Sequence, residues 1–269
     1  MAMVSVLSPA KINLMLRVLN RRLDGYHELQ SCFELLPWGD SITFQSRSAA
    51  QPAVNISGFT DLADKDNLIY QAAELLKPVV QQPSIVDIAV DKQIPGGAGL
   101  GGGSSNAAVT LVTLNKLWGC QLDVSALLNM ALKLGADVPF FVSGQSALVS
   151  GIGEHIEPMK FYRGKLLLLF PELAISTRSV FQHPDLCRNQ SPLPRKQLMN
   201  RDFWINDCFP IVLKDYPEIS QLFKQLSPIM PLRLSGTGST LFVLCDNQEQ
   251  ADRRQKIASA YCRTRLLEI

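Results

Sequence analysis

The stretch PGGAGLGGGSSNAA, residues 95–108, places six glycines within eight consecutive positions and then turns into an apolar, helix-forming tail. Glycine leaves no side chain between a ligand and the backbone N–H groups, and a helix start adds unpaired donors and the positive end of a dipole. That combination suits phosphate. A plain strand-to-helix turn needs only one or two glycines, and the remainder cost backbone entropy that something must offset. A Walker A loop is excluded, because no lysine occurs between Pro95 and Leu114. GAGLGG, from Gly97 to Gly102, satisfies the dinucleotide pattern, and Asp123 stands roughly twenty residues on, where a ribose-binding acid would be sought. Asp123 nevertheless precedes VSALLNMALKLG, whose periodicity is helical, and no strand fits between Gly119 and Asp123, so it reads as a helix cap. A kinase-type loop around a nucleoside triphosphate remains. In it, Ser104 and Ser105 offer hydroxyls to phosphate oxygens or to Mg²⁺.

The elements that must position this loop follow from local pattern. SIVDIAVDKQIP alternates Val86, Ile88 and Val90 against Ile85, Asp87 and Ala89, a strand leading straight into the glycines. SSNAAVTLVTLNKLWG starts on N-cap residues and closes on Gly119, a helix springing from the loop. DVSALLNMALKLG is a second helix, from Asp123 to Gly135, and ADVPFFVSG reads as a short turn before glycine-punctuated strands. Upstream, VSVL, INLMLRVL and SITFQ are β-rich pieces around the Asp-Gly turn of NRRLDGYHEL, and DNLIYQAAELLKPVV is a helix with a stripe through Leu68, Ala72, Leu75 and Leu76. Composition shifts near residues 157–164, and a second α/β domain is expected from there. It should comprise a buried strand (KLLLLFP), helices split by Pro210 and Pro217, a strand–glycine turn–strand unit (PLRLSGTGSTLFVLC) and a polar helix (NQEQADRRQKIASAYC).

The chain has 269 residues, 46% apolar and 19% charged, and so is long enough to bury one large core or two ordinary ones. A net charge of +2 with scattered Lys and Arg argues against nucleic acid as a partner. The six cysteines show neither C-x-x-C nor zinc spacing and read as reduced, mostly buried thiols, with no protein metal site expected. No targeting segment is apparent and no apolar run approaches the roughly 18 residues that span a bilayer, so a cytoplasmic location with no membrane partner is expected.

The glycine stretch resembles the second signature of the GHMP kinases, and four other stretches occur in that family's order: SPAKINLMLRV (8–18), RRLDGYHEL (21–29), GADVPFFVSGQSALVSGIGE (135–154) and LSGTGSTLFV (234–243). The likeness spans nearly the whole chain. The DGYHEL segment narrows it to the branch that phosphorylates the 2-hydroxyl of a cytidine-diphosphate derivative of methylerythritol, a step of non-mevalonate isoprenoid synthesis. The resemblance implies a two-domain α/β (α+β) fold. Residues 1–157 would form a nucleotide-binding domain like domain 2 of ribosomal protein S5, and residues 158–269 a ferredoxin-like domain, with the active site between them.

The same resemblance implies the site residues. Lys11 and Asp137 match the catalytic pair: an Asp beside the attacking hydroxyl can take its proton, and an ammonium stabilises the transferring charge. ATP, with Mg²⁺ carried mainly by the nucleotide, would lie on Pro95, Gly96, Gly97, Ala98, Gly99, Leu100, Gly101, Gly102, Gly103, Ser104 and Ser105, with Asn67 and Lys92 near the adenine. Asn13, Tyr26, His27 and Phe181 would bind the acceptor: the tyrosine and phenylalanine rings stack on the cytosine and the imidazole donates to or accepts from its edge. Asn106 stands where relatives can carry Asp, which leaves the metal to Ser105, nucleotide oxygens and water. SGTGST (235–240) either closes over the acceptor's phosphates or is a tight hairpin. Two alternatives stay open: another GHMP small-molecule kinase, acting on homoserine or mevalonate, and a non-catalytic nucleotide-binding protein.

Overall fold

A computed structural model describes residues 2–59 and 64–269. Contacts sort the chain into two units, each assembled from separated stretches: Met1–Ala10, Trp38–Ile94 and Gly101–Gly144 in the first, Lys11–Pro37, Pro95–Leu100 and Gln145–Ile269 in the second. Two long strands contribute to both, β1 (Ala2–Arg21) and β2 (His27–Ser48), which pair with each other. The several short β pieces expected in the first 48 residues are thus two continuous strands. Pro37 does not break β2 because it falls between two ladders, Leu29–Phe33 against one neighbour and Ser41–Ser48 against another.

In the first unit the chain continues through β3 (Ala53–Ser57), α1 (Leu68–Leu76), β4 (Ser84–Asp91), α2 (Gly102–Leu117), α3 (Val124–Leu134) and α4 (Val138–Ser143). The second half of β2 pairs antiparallel with β4, and β4 pairs parallel with β3, a strand too short and polar to be legible beforehand. As the alternation predicts, Val86, Ile88 and Val90 face the core with Ile42 and Phe44 of β2. Each such side chain contributes about 1.5–3 kcal/mol by leaving water. In α1 the buried face is Ile69, Ala72, Ala73 and Leu76, one position round from the expected stripe. Helix α1 packs on α2, whose Ala107 and Ala108 allow close approach, and Trp118, fully buried at the end of α2, donates its indole N–H to Ser84 O at 3.1 Å. Asp123 caps α3 by accepting from Ala126 N at 2.8 Å, as expected, while VPFFVS forms the short helix α4 instead of a bare turn.

The second unit adds β5 (Ala147–Gly151), β6 (His155–Pro158), β7 (Lys165–Phe170), α5 (Thr177–Gln182), α6 (Phe209–Asp215), α7 (Pro217–Leu226), β8 (Arg233–Leu234), β9 (Leu241–Cys245), α8 (Gln248–Ala258) and β10 (Arg263–Glu268). Strand β5 joins the first half of β2, and β6 joins β5. The remaining strands form an antiparallel sheet in the order β10-β7-β9-β8. Its β7 residues Leu167 and Leu169 share a core with Val212, Ile219, Leu222 and Leu226 of α6 and α7 and with Ala251 and Ala258, the buried residues of the otherwise polar α8. Pro210 and Pro217 do not split a helix but start two, in the first-turn positions where a missing N–H costs nothing. Edge strand β10 was not expected, since RTRLLE carries three charges in six residues.

All six cysteines are free thiols; burial pushes Cys32 and Cys208 up to about 12, and Cys187 alone is exposed. Among the described residues no helix is long and apolar enough to cross a membrane.

Candidate active site

Within the second unit, residues Pro95–Leu100 of the glycine loop are held by backbone. Gly97 O accepts from Ile175 N at 3.2 Å, Ala98 O from Thr240 N at 3.2 Å, and Leu100 O from Lys11 N at 3.0 Å. Ser235 Oγ donates to Gly99 O at 3.0 Å. A Cβ on Gly99 would lie 2.3 Å from Ser235 O, so this glycine answers to the protein's own turn and not to a ligand. The SGTGST segment is therefore a hairpin turn between β8 and β9 that also braces the loop.

In the first unit the chain enters α2 through Gly101, left-handed at φ 72°. Ser105 N donates to Gly101 O at 2.9 Å, the first intrahelical bond, so the N–H groups of Gly102, Gly103 and Ser104 precede the ladder. A Cβ on exposed Gly103 would meet nothing nearer than Leu68 Cδ1 at 3.8 Å. Open space over first-turn donors at a dipole's positive end is what an anion requires. Ser104 is half-buried, but Ser105 is fully buried and its hydroxyl accepts from Ser8 Oγ at 2.8 Å. The Ser105 hydroxyl thus has a protein partner in Ser8.

Behind that turn lies a residue the sequence reading missed. Asp40, with no exposed surface, accepts at Oδ1 from Gln93 N (2.8 Å) and Ile94 N (2.9 Å), and at Oδ2 from Asn106 Nδ2 (2.9 Å) and from Lys92 Nζ. Asn106 Nδ2 also donates to Ser8 Oγ at 2.8 Å, and its Oδ1 accepts from Lys92 Nζ at 3.1 Å. An amide at 106 suits this place, because its Nδ2 donates to Asp40 where a second carboxylate would set like charges together. Lys92 thus neutralises a buried carboxylate. Asn67, buried, caps α1 by accepting from Ile69 N at 2.9 Å. Among the described residues no three His, Cys, Asp or Glu converge as a metal site.

Lys11 is buried on β1, its Nζ donating to Asn13 Oδ1 at 2.6 Å and lying 4.6 Å from the Phe33 ring centroid. Spacing of two along a strand puts Lys11 and Asn13 on one face. Asn13 Nδ2 donates to Ser31 Oγ at 2.9 Å, so the amide orients the ammonium, and a Cβ on Gly236 would lie 3.1 Å from Asn13 Oδ1. Asp137 is half-buried and stands at the start of α4 with no side-chain cap hydrogen bond to that helix.

The turn before β2 presents Tyr26, 59% exposed, with its N–H donating to Asp24 Oδ1 at 3.1 Å. His27 follows, buried, its ring 5.3 Å from that of Phe181 and tilted by 32°. Arg188 Nε donates to His27 Nε2 at 3.1 Å. Burial and, after it, the charges of Arg188 and Arg21 hold the imidazole below its ordinary value of 6.5. The structure therefore gathers His27 and Phe181, gathers Lys11 and Asn13 beside Gly236 of the β8–β9 turn, and ties Lys92 and Ser105 into the Asp40 network. Asp40 and Arg188 left no signal, since their partners lie tens of residues away in sequence.

Comparison with known proteins adds to this geometry. The family models for the GHMP kinases N terminal domain and the GHMP kinases C terminal match residues 67–145 and 185–264. The chain is similar to the 4-diphosphocytidyl-2-C-methyl-D-erythritol kinase of Polynucleobacter asymbioticus, 41% identical over 89% of this chain and 83% of that one. It is also similar to the enzyme of that name from Mannheimia succiniciproducens, 42% identical over 90% and 80%. A crystal structure of 4-(cytidine 5'-diphospho)-2C-methyl-D-erythritol kinase superposes with a TM-score of 0.82 at 31% identity, covering 98% of both chains. Homoserine kinase from Cytophaga hutchinsonii, at 16% identity and a TM-score of 0.69, shares the fold.

Proposed function

The chain belongs to the 4-diphosphocytidyl-2-C-methyl-D-erythritol kinases, with the two-domain GHMP kinase fold, and we propose that it transfers the γ-phosphoryl group of ATP to the 2-hydroxyl of 4-diphosphocytidyl-2-C-methyl-D-erythritol. The observation that carries the reading is the start of α2: three N–H groups ahead of the helical ladder, with open space over Gly103. Gly102, Gly103 and Ser104 donate to phosphate oxygens there, and the nucleotide's Mg²⁺, when bound, offsets the negative charge of the triphosphate. Ser105, whose hydroxyl accepts from Ser8 Oγ, keeps its own proton to donate beside that turn.

Lys11, fixed by Asn13 and Phe33, supplies positive charge to the transferring group. Asp137 accepts the acceptor's hydroxyl proton as the new P–O bond forms and the bond to the β,γ-bridging oxygen breaks, releasing ADP. Tyr26, His27 and Phe181 hold the cytosine.

An acceptor panel tests it. ADP release is expected with the cytidine-bearing acceptor and not with homoserine or mevalonate; turnover of either of those alone would assign a different kinase. Asp137→Asn is expected to lower kcat by about 10²–10⁴-fold with ATP binding nearly intact.

A further inference from the structure

Arg188 belongs to no motif and precedes no catalytic element, yet four of its bonds converge on the corner that carries His27 and Phe181. Its Nε donates to His27 Nε2 at 3.1 Å, one Nη2 donates to Phe181 O at 2.9 Å and His183 O at 2.6 Å, and Nη1 donates to Leu186 O at 3.1 Å. The segment holding it is pinned to the strands beside the site. Gln190 N donates to Val18 O at 3.3 Å and Arg17 Nη2 to Gln190 Oε1 at 2.8 Å, while Leu193 N and O pair with the Gln30 amide at 2.7 and 3.0 Å. Phe181 lies in the last turn of α5, so the guanidinium bonded to its carbonyl fixes the helix that carries the phenyl ring and the imidazole beside it.

The chemistry of that contact is directional. A guanidinium can only donate, so His27 Nε2 must be an acceptor, and a neutral imidazole then carries its one proton on Nδ1. We propose that Arg188 is a positioning and specificity residue for the acceptor's base, locking His27 as a neutral Nδ1–H donor and setting its spacing from Phe181. The inference rests on the reading of the acceptor as cytidine-bearing. A fixed donor suits cytosine, whose N3 is an acceptor, and opposes uracil, whose N3 carries a proton; leaving that N–H against another donor forfeits a hydrogen bond on both sides. The lowered proton affinity of His27, from burial and from Arg188 and Arg21, agrees with a ring kept neutral.

The test is ¹⁵N NMR of histidine-labelled full-length protein, alongside binding of cytidine and uridine diphosphates. In the wild type the His27 nitrogens are expected to report the Nδ1–H tautomer at neutral pH. A wild-type Nε2–H tautomer or an imidazolium would overturn the proposal, whatever the variants do. Arg188→Met is expected to raise the His27 pKa, mix the tautomers, weaken cytidine diphosphate binding and raise KM for the acceptor about tenfold, with kcat changed less than about threefold. It should also shrink the preference over uridine diphosphate. Arg188→Lys, which keeps the charge but not the fork, should restore the pKa shift more fully than the tautomer. Unchanged tautomer, acceptor KM and base preference in a folded Arg188→Met protein would refute the role. Failure of the wild type to bind cytidine diphosphate would instead defeat the acceptor reading, leaving the tautomer spectrum to decide the rest.

Discussion

The start of α2, where we propose that the nucleotide binds, and the corner of His27 and Phe181, where we propose that the base binds, each depend on one charged side chain used as a hub, and the two hubs are opposite in kind. Asp40 is a buried acceptor that collects two backbone N–H groups, an amide and an ammonium behind the start of α2. Arg188 is a part-buried donor that collects an imidazole and three carbonyls around α5. The difference follows from what each region presents. A phosphate loop offers main-chain N–H groups, so the supporting backbone is oriented by an acceptor set behind it; a base-reading histidine needs its acceptor nitrogen occupied, so it is backed by a donor.

The contrast can be broken most forcefully at Asp40. Asp40→Ala leaves the Lys92 ammonium and two interior N–H groups without their acceptor and is expected to cost about 3–5 kcal/mol in chemical denaturation. Removing Arg188, which keeps more contact with water, should cost clearly less. Equal losses would erase the distinction between the hubs.

Asn106→Asp comes next. It replaces a donor 2.9 Å from Asp40 Oδ2 by a second carboxylate, with an expected penalty of about 1–3 kcal/mol in chemical denaturation. The loop's glycines sharpen the comparison further. Gly99→Ala forces a Cβ to 2.3 Å from Ser235 O and should impair folding. Gly103→Ala meets no neighbour and improves helix propensity, so the thermal midpoint should hold or rise while KM for ATP increases. A Gly103→Ala enzyme with unaltered ATP affinity would remove the argument for phosphate at that position.

The smallest expected effect is a pH slope. Because the folded-state pKa of His27 is lowered, its share of stability is complete above the ordinary value of 6.5 and is lost as pH falls through the folded value. His27→Gln should lack that slope when unfolding is followed between neutral and mildly acid pH.

Much of this was legible beforehand where the signal is local. The alternation of Val86, Ile88 and Val90, the Asp123 cap and the glycine run each state their structure within a few residues. The family motifs likewise named Lys11 and His27, which the fold buries among polar partners. What was not legible depends on distance along the chain. Asp40 meets Asn106 across 66 positions and Arg188 meets His27 across 161, and no local pattern encodes such pairings. The glycine run also carries two messages in one composition: Gly99 serves the neighbouring turn, and Gly103 leaves room for a ligand. Only the position of surrounding backbone separates them.

The central claim is the transfer itself, and ³¹P NMR of the purified protein with ATP and 4-diphosphocytidyl-2-C-methyl-D-erythritol tests it most directly. The account predicts a new phosphomonoester resonance on the acceptor's 2-oxygen, growing in step with ADP and absent with Asp137→Asn. ATP left intact in the presence of that acceptor, or ADP formed with inorganic phosphate as its only partner, would contradict it.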